Sequence, residues 1–139
     1  MKLQVGVKAL IQNDKGQFLF LKRDSGEADI WDVPGSHLDS DEELTLIEFL
    51  TETVRKQTNL QISDNPGMAA TQDIVDRKAG VHEIRLTYEA GMSGVLKTAK
   101  DIVAFKWLHA DKALNLKTDP YLQAVLQHFA ATEQARIKQ

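Results

Sequence analysis

The chain has 139 residues, of which 42% are hydrophobic and 27% charged; this composition and length indicate one globular domain covering residues 1–139. The formal net charge of −3 argues against a polynucleotide or an anionic membrane surface as a partner. The absence of cysteine excludes disulfides and thiolate chemistry, and no apolar run is long enough to span a bilayer, so we expect a cytoplasmic protein.

The N-terminal part of the chain predicts a β-hairpin followed by a loop. Apolar residues alternate from Leu3 to Ile11, and a second β-rich run covers Phe18 to Leu21. Between them, Asn13 to Gly16 has the composition of a turn. A long loop rich in Gly, Ser and Asp is expected from Asp24 to Asp41, with a Pro-Gly turn at positions 34–35.

A first helix is predicted over residues 42–58. Ser40 or Asp41 can cap its N-terminus, and the acidic residues 42–43 suit the positive end of a helix. Asn59 can adopt the left-handed conformation that often ends a helix. The buried side is a stripe of aliphatic residues at helical spacing, namely Leu46, Ile47, Leu50 and Val54.

The second half of the chain predicts three strands and a closing helix. The strands cover residues 68–75, 81–90 and 102–108, with a hairpin turn at 78–80. The helix covers residues 119–136, with Asp119 or Thr118 as its cap and Pro120 in its first turn. Its buried stripe is Tyr121, Leu122, Val125, Leu126 and Phe129. The order of the elements predicts an α+β fold.

Residues Trp31 to Leu60 resemble the Nudix box, the loop and helix of nucleoside diphosphate-linked pyrophosphohydrolases. Trp31 and the Pro34-Gly35 pair resemble the start of the box, Thr58-Asn59-Leu60 resembles its end, and residues 18–23 resemble the family's second strand. The resemblance implies a Nudix-type mixed β-sheet sandwich flanked by helices. It also implies a nucleoside diphosphate derivative or another small phosphate as ligand, and it leaves a homodimer open.

The charged positions of the box have changed. With Asn59-Leu60 placed on the glycine-aliphatic pair of the box, Glu52 falls at its arginine, Thr53 at its first glutamate, and Lys56-Gln57 at its glutamate pair. In the family these carboxylates hold Mg²⁺ or Mn²⁺, which requires several hard oxygen ligands. We therefore predict that metal-dependent hydrolysis is weak or absent, and we assign no metal to these positions; Mg²⁺ or Mn²⁺ is the expected cofactor if hydrolytic activity is retained.

A shifted carboxylate set is the alternative. Glu48 and Glu52 are four residues apart, so they lie on one helix face and could stand in for two box glutamates in an active hydrolase. The plainer interpretation is a solvated face with a salt bridge to Arg55. Acidic residues of the preceding loop could complete the metal site, namely Asp39, Asp41 or Glu43.

Three residues are candidates for ligand binding by resemblance: Arg23, Gly35 and Lys56. Arg23 lies where family members can place a basic residue on a phosphate, although it could equally be a surface arginine beside Asp24. Lys56 could replace the charge of a metal and contact a phosphate, although by itself the sequence favours a solvated helix lysine. Trp31 could stack on a base or fasten its loop to the core. His37 is the histidine nearest the expected cleft. A third function, that of a protein-interaction module without catalysis, remains open.

Overall fold

A computed structural model describes residues 1–24 and 29–137, and the following architecture concerns those residues. They form a mixed β-sheet with helices on both of its faces, which confirms the predicted α+β class. In chain order the elements are β1 Lys2–Gln12, β2 Phe18–Arg23, β3 Trp31–Asp32, β4 Gly35–Leu38, α1 Leu46–Thr58, β5 Gln61–Ile62, β6 Gly67–Asp76, β7 Val81–Ser93, β8 Ile102–Leu108, α2 Ala110–Ala113 and α3 Pro120–Ile137.

Strand β1 organises the sheet. It pairs in parallel with β7 along its whole length, and it pairs antiparallel with β2 and β4. Strands β5 and β6 continue the sheet from β7, whereas β3 and β8 pair with β2. Because successive side chains of a strand point to opposite faces, β1 contributes Val7 and Ile11 to the core under α1, and Leu10 to the core under α3.

Helix α1 begins four residues later than predicted. Its N-cap is Thr45, whose hydroxyl accepts a hydrogen bond from the Glu48 amide (3.2 Å), while the Glu48 carboxylate accepts one from the Thr45 amide (3.0 Å). This reciprocal capping box satisfies two backbone amides at once and directly precedes the aliphatic stripe that starts at Leu46, so the helix begins there and the predicted cap at Ser40 or Asp41 was wrong. Glu42 and Glu43 consequently lie outside the helix.

The rest of α1 follows the prediction. Leu50 and Val54 are fully buried, and Leu46 and Ile47 pack against the same core. Asn59 ends the helix in the left-handed conformation, with φ 64°. Since glycine favours that conformation, this observation supports the placement of Asn59 on the glycine of the box.

The predicted loop at 24–41 was partly wrong, because it contains strands β3 and β4; its residues 25–28 lie outside the described part of the chain. The short elements β5 and α2 were also not predicted. The two hairpins are confirmed, and so is α3 with Asp119 as its cap, since the carboxylate accepts hydrogen bonds from the amides of residues 121 and 122. The predicted buried stripe of α3 was wrong at Tyr121, which is exposed. No helix among residues 1–24 and 29–137 is long and apolar enough to cross a membrane.

Candidate functional site

Gly35 is the meeting point of β4 and α1. Its φ is +150°, and a Cβ atom there would lie 2.3 Å from the Val7 carbonyl oxygen, so only glycine fits. The Gln57 side chain on α1 binds both backbone groups of Gly35. Gln57 Nε2 donates to the Gly35 carbonyl (2.9 Å), and the Gly35 amide donates to Gln57 Oε1 (3.1 Å). The amide of Gln57 therefore clamps the loop to the helix.

Arg23, at the end of β2, points its guanidinium group at the same place. Its Nη2 lies 3.4 Å from the Gly35 carbonyl, 3.3 Å from Gln57 Oε1 and 3.5 Å from the Val33 carbonyl. Its Nη1 lies 3.4 Å from Asp32 Oδ2. Four oxygens thus surround one guanidinium, all at the long end of hydrogen-bond distances. Arg23 is enclosed by acceptors without being tightly bound to any of them.

Lys8 completes this group, which we call the Arg23 cluster (Lys8, Arg23, Asp32, Val33, Gly35 and Gln57). Lys8 Nζ binds Asp32 Oδ2 at 2.6 Å, and only 12% of the lysine side chain is exposed. Asp32 therefore bridges two cations, and the cluster carries a net positive charge. Neither Lys8 nor Asp32 was predicted from the sequence as a site residue. A lysine in the middle of an otherwise apolar strand was the available signal for Lys8.

The structure does not bring Lys56 to this cluster. Its side chain is 68% exposed, and its ammonium lies 4.0 Å from Glu52. Glu52 itself binds Arg55 at 2.5 Å, and this hydrogen bond lowers the pKa of Glu52. Thr53 is half-buried, one helical turn before Gln57. Of the residues placed on the metal-binding positions of the box, Gln57 is the one that forms hydrogen bonds with Gly35 among the described residues.

Glu48 and Glu52 lie on another side of α1. At about 100° per residue, Glu48 is about half a turn around the helix from Gln57. Both glutamates line an open groove of about 630 Å³ together with Asp64. The Glu48 carboxylate is engaged in the capping box, and hydrogen bonds from Thr45 lower its pKa.

The acidic residues of the preceding loop do not join the two glutamates. Within the described part of the chain, no group of three or more His, Asp or Glu side chains is close enough to hold a metal ion. Asp39, Asp41 and Glu43 therefore do not gather around Glu48 and Glu52 in this structure.

A second polar group, the Glu83 cluster (Gln4, His37, Glu83, Arg85 and Asp119), lies on the same face of the sheet as Lys8. The Glu83 carboxylate, 7% exposed, accepts hydrogen bonds from Arg85 Nε (2.6 Å), His37 Nε2 (2.9 Å) and Gln4 Nε2 (3.0 Å). Burial alone would raise the pKa of Glu83, but these hydrogen bonds and the Arg85 charge lower it to about 2. Arg85 continues the network to Asp119 at 3.0 Å.

Trp31 is held by a backbone hydrogen bond, by packing against the core and by two nearby lysines. Its backbone amide donates to the Lys117 carbonyl (2.8 Å), and its ring packs against the core under α3. The ammonium groups of Lys106 and Lys22 lie 5.1 and 6.0 Å from the ring centroid, within the range of cation–π contacts. The anchoring role considered for Trp31 is thus the one that its contacts support.

The sequence matches no protein-family model and no curated protein. Solved structures are similar to it over nearly its whole length. The E. coli ORF135 protein has a TM-score of 0.80 at 22% identity, covering 98% of this chain and 94% of that chain. The MutT protein from Methanosarcina mazei Go1 has a TM-score of 0.77 at 23% identity, with coverages of 95% and 96%.

A third similar structure is the NUDIX domain of Shewanella oneidensis NrtR complexed with ADP ribose. Its TM-score is 0.71 at 19% identity, and the match covers 99% of this chain and 88% of that chain. The chain therefore has the Nudix fold, and the fold implied by the resemblance of residues 31–60 is confirmed.

Proposed function

We propose that this Nudix-fold chain binds a nucleoside diphosphate derivative through its phosphates at the Arg23 cluster, without a divalent metal and with weak or absent metal-dependent hydrolysis. The observation that carries the proposal is the guanidinium of Arg23 among four oxygens beside the Gly35–Gln57 clamp. The guanidinium of Arg23 lies 3.3 Å from the side chain of Gln57, the residue placed on the second glutamate of the glutamate pair of the box.

The residues of this cluster do not fit Mg²⁺. That ion needs near-octahedral oxygen ligands and is held in proteins by carboxylates. Here the oxygens of Val33, Gly35 and Gln57 are neutral, and the one carboxylate, Asp32, is paired with Lys8 at 2.6 Å. A divalent cation at the Gly35 carbonyl would also face the positive charge of Arg23.

The same arrangement suits a phosphate. A guanidinium group offers five N–H donors in a fork that matches two phosphate oxygens. Arg23 has donors to spare, because its four contacts of 3.3–3.5 Å use only its two terminal nitrogens. Asp32 is satisfied by the closer Lys8, so Arg23 is the cation that can turn to an incoming anion.

ADP-ribose is a suitable first probe, because a Nudix domain of similar structure was crystallised with it. The experiment is isothermal titration of the purified chain with ADP-ribose and ADP in EDTA, repeated with excess Mg²⁺. We expect binding in EDTA, with little change on adding Mg²⁺. We expect Arg23→Ala to weaken binding at least tenfold, since a charge-assisted hydrogen bond contributes about 1.5–3 kcal/mol.

Arg55→Ala is the matched control. Arg55 is an exposed arginine paired with Glu52 outside the Arg23 cluster, so its loss should leave the affinity unchanged. Binding that requires Mg²⁺, or Mg²⁺-dependent release of AMP from ADP-ribose, would overturn the proposal in favour of a hydrolase with a shifted carboxylate set. Absence of nucleotide binding in both buffers would point to the protein-interaction module.

A further inference from the structure

We propose that His37 recognises a ribose hydroxyl of the ligand and that Glu83 positions its ring for this contact. The inference rests on the proposed binding of a nucleoside diphosphate derivative and deepens it, because it assigns the sugar-recognising residue and predicts a preference for ribonucleotides. It begins with the hydrogen bonds of the Glu83 cluster.

The contacts of His37 determine which ring nitrogen carries a proton. His37 Nε2 lies 2.9 Å from Glu83 Oε1 and 3.1 Å from Gln4 Nε2. Glu83 also accepts hydrogen bonds from Arg85 and Gln4, and a carboxylate with these partners is ionised. An ionised carboxylate only accepts, so His37 Nε2 must donate to it. The contact between His37 and Gln4 is then a neighbour contact and not a hydrogen bond.

When its ring is neutral and Nε2 is the donor, His37 has a hydrogen-bond acceptor at Nδ1. No partner for Nδ1 is found among residues 1–24 and 29–137, and the side chain is 52% exposed. A ligand hydroxyl can donate to this nitrogen, whereas an ionised phosphate oxygen cannot. The ring is therefore suited to a sugar hydroxyl.

His37 also lies close to the proposed phosphate site, because it is on the same strand as Gly35. Gly35 and His37 are alternate residues of β4 opposite Lys8 and Gly6 of β1, so their Cα atoms are about 7 Å apart along one face of the sheet. A phosphate bound beside Gly35 in the Arg23 cluster would thus lie close enough to His37 for the attached ribose to reach the His37 ring.

Residues of the neighbouring strands β1 and β7 hold the His37 ring in position. A Cβ atom at Gly6 would lie 2.8 Å from Glu83 Oε2, so the glycine makes room for the carboxylate under the ring. Three donors and 7% exposure hold that carboxylate in one place. Glu83 is therefore a positioning residue, and His37 is the one that would touch the ligand.

The test compares ADP with 2′-deoxy-ADP, 3′-deoxy-ADP and pyrophosphate in EDTA. We expect the wild-type chain to bind ADP roughly three- to tenfold more tightly than at least one of the deoxy analogues, the effect of one hydrogen bond. In His37→Ala the ribonucleotide and deoxyribonucleotide affinities should become equal, with pyrophosphate affinity unchanged. His82→Ala is the matched control, because His82 also pairs with a carboxylate, that of Asp73, on the β6–β7 hairpin.

A second measurement tests the role of Glu83. The ¹⁵N NMR shifts of the His37 ring should identify neutral imidazole protonated at Nε2, and Glu83→Gln should reduce that tautomer together with the ribose preference. A preference that survives in His37→Ala, with ADP and pyrophosphate both bound, would overturn this inference alone. A neutral ring protonated at Nδ1, or a ring protonated at both nitrogens, would overturn it as well. Failure of the wild-type chain to bind any of these ligands would overturn the proposed function together with it.

Discussion

The Glu83 carboxylate makes the free energy of unfolding depend on pH in the acidic range. Hydrogen bonds from Arg85, His37 and Gln4, together with the Arg85 charge, outweigh the effect of burial and lower the pKa of Glu83 from 4.5 to about 2. Since a tenfold change in proton affinity corresponds to about 1.4 kcal/mol, the ionised carboxylate stabilises the folded state by roughly 3 kcal/mol at neutral pH. Because the folded-state pKa is the lower one, this stabilisation is present above pH 4.5 and is lost as the pH falls towards 2.

The perturbation that isolates this effect is Glu83→Gln, which removes the titrating group and keeps the shape of the side chain. Urea unfolding of both chains between pH 7 and pH 3 gives the difference in their free energies of unfolding. We expect that difference to shrink by about 2 kcal/mol between pH 5 and pH 3. Glu89→Gln on the same strand is the control, since Glu89 forms no ion pair within the described residues. Parallel stability curves for the wild type and Glu83→Gln would refute the reasoning.

Two further substitutions test the local structure around the site. Gly35→Ala should destabilise the fold by roughly 3 kcal/mol, because its Cβ would meet the Val7 carbonyl at 2.3 Å, whereas Gly91→Ala has open space and should cost less than 1 kcal/mol in thermal or urea unfolding. Thr45→Ala should cost about 1 kcal/mol through loss of the helix cap, measured in the same way, and Ser40→Ala should cost nothing; the reverse ranking would contradict the capping box.

Much of the fold could be read from local patterns. Alternation of apolar residues located β1, and the turn chemistry of residues 13–16 located the hairpin to β2. The start of α1 could not be decided from the capping-box pattern, because Ser40 and Thr45 both have a glutamate three residues later, Glu43 and Glu48 respectively, and only the folded chain shows that Thr45 and Glu48 form the box. The strand β4 was missed because four residues with a glycine and a histidine have no strand signal of their own, and its pairing with β1 decides its conformation.

The candidate site could be predicted only in part. The resemblance pointed to Arg23 and Gly35, and the structure brings these two together with Gln57. Lys56, chosen for its charge, lies outside this cluster, because a one-residue step along a helix turns a side chain by about 100°. The partnership of His37 with Glu83 joins residues 46 positions apart, so no local pattern could reveal it.

The glutamine at position 57 and the arginine at position 23 contact each other, and both contact the carbonyl of Gly35. A carboxamide donates and accepts, so Gln57 can satisfy both the amide and the carbonyl of Gly35, whereas a carboxylate could only accept and would leave that carbonyl with the longer contact to Arg23 alone, at 3.4 Å. A glutamate at this position would therefore present two oxygens for a divalent cation but would lose half of the clamp. Under the proposed function, the charge that attracts a phosphate to the cluster with glutamine would come from Arg23, while Lys8 neutralises Asp32. The changed box would then have exchanged a metal-dependent anion site for one whose positive charge belongs to the chain itself.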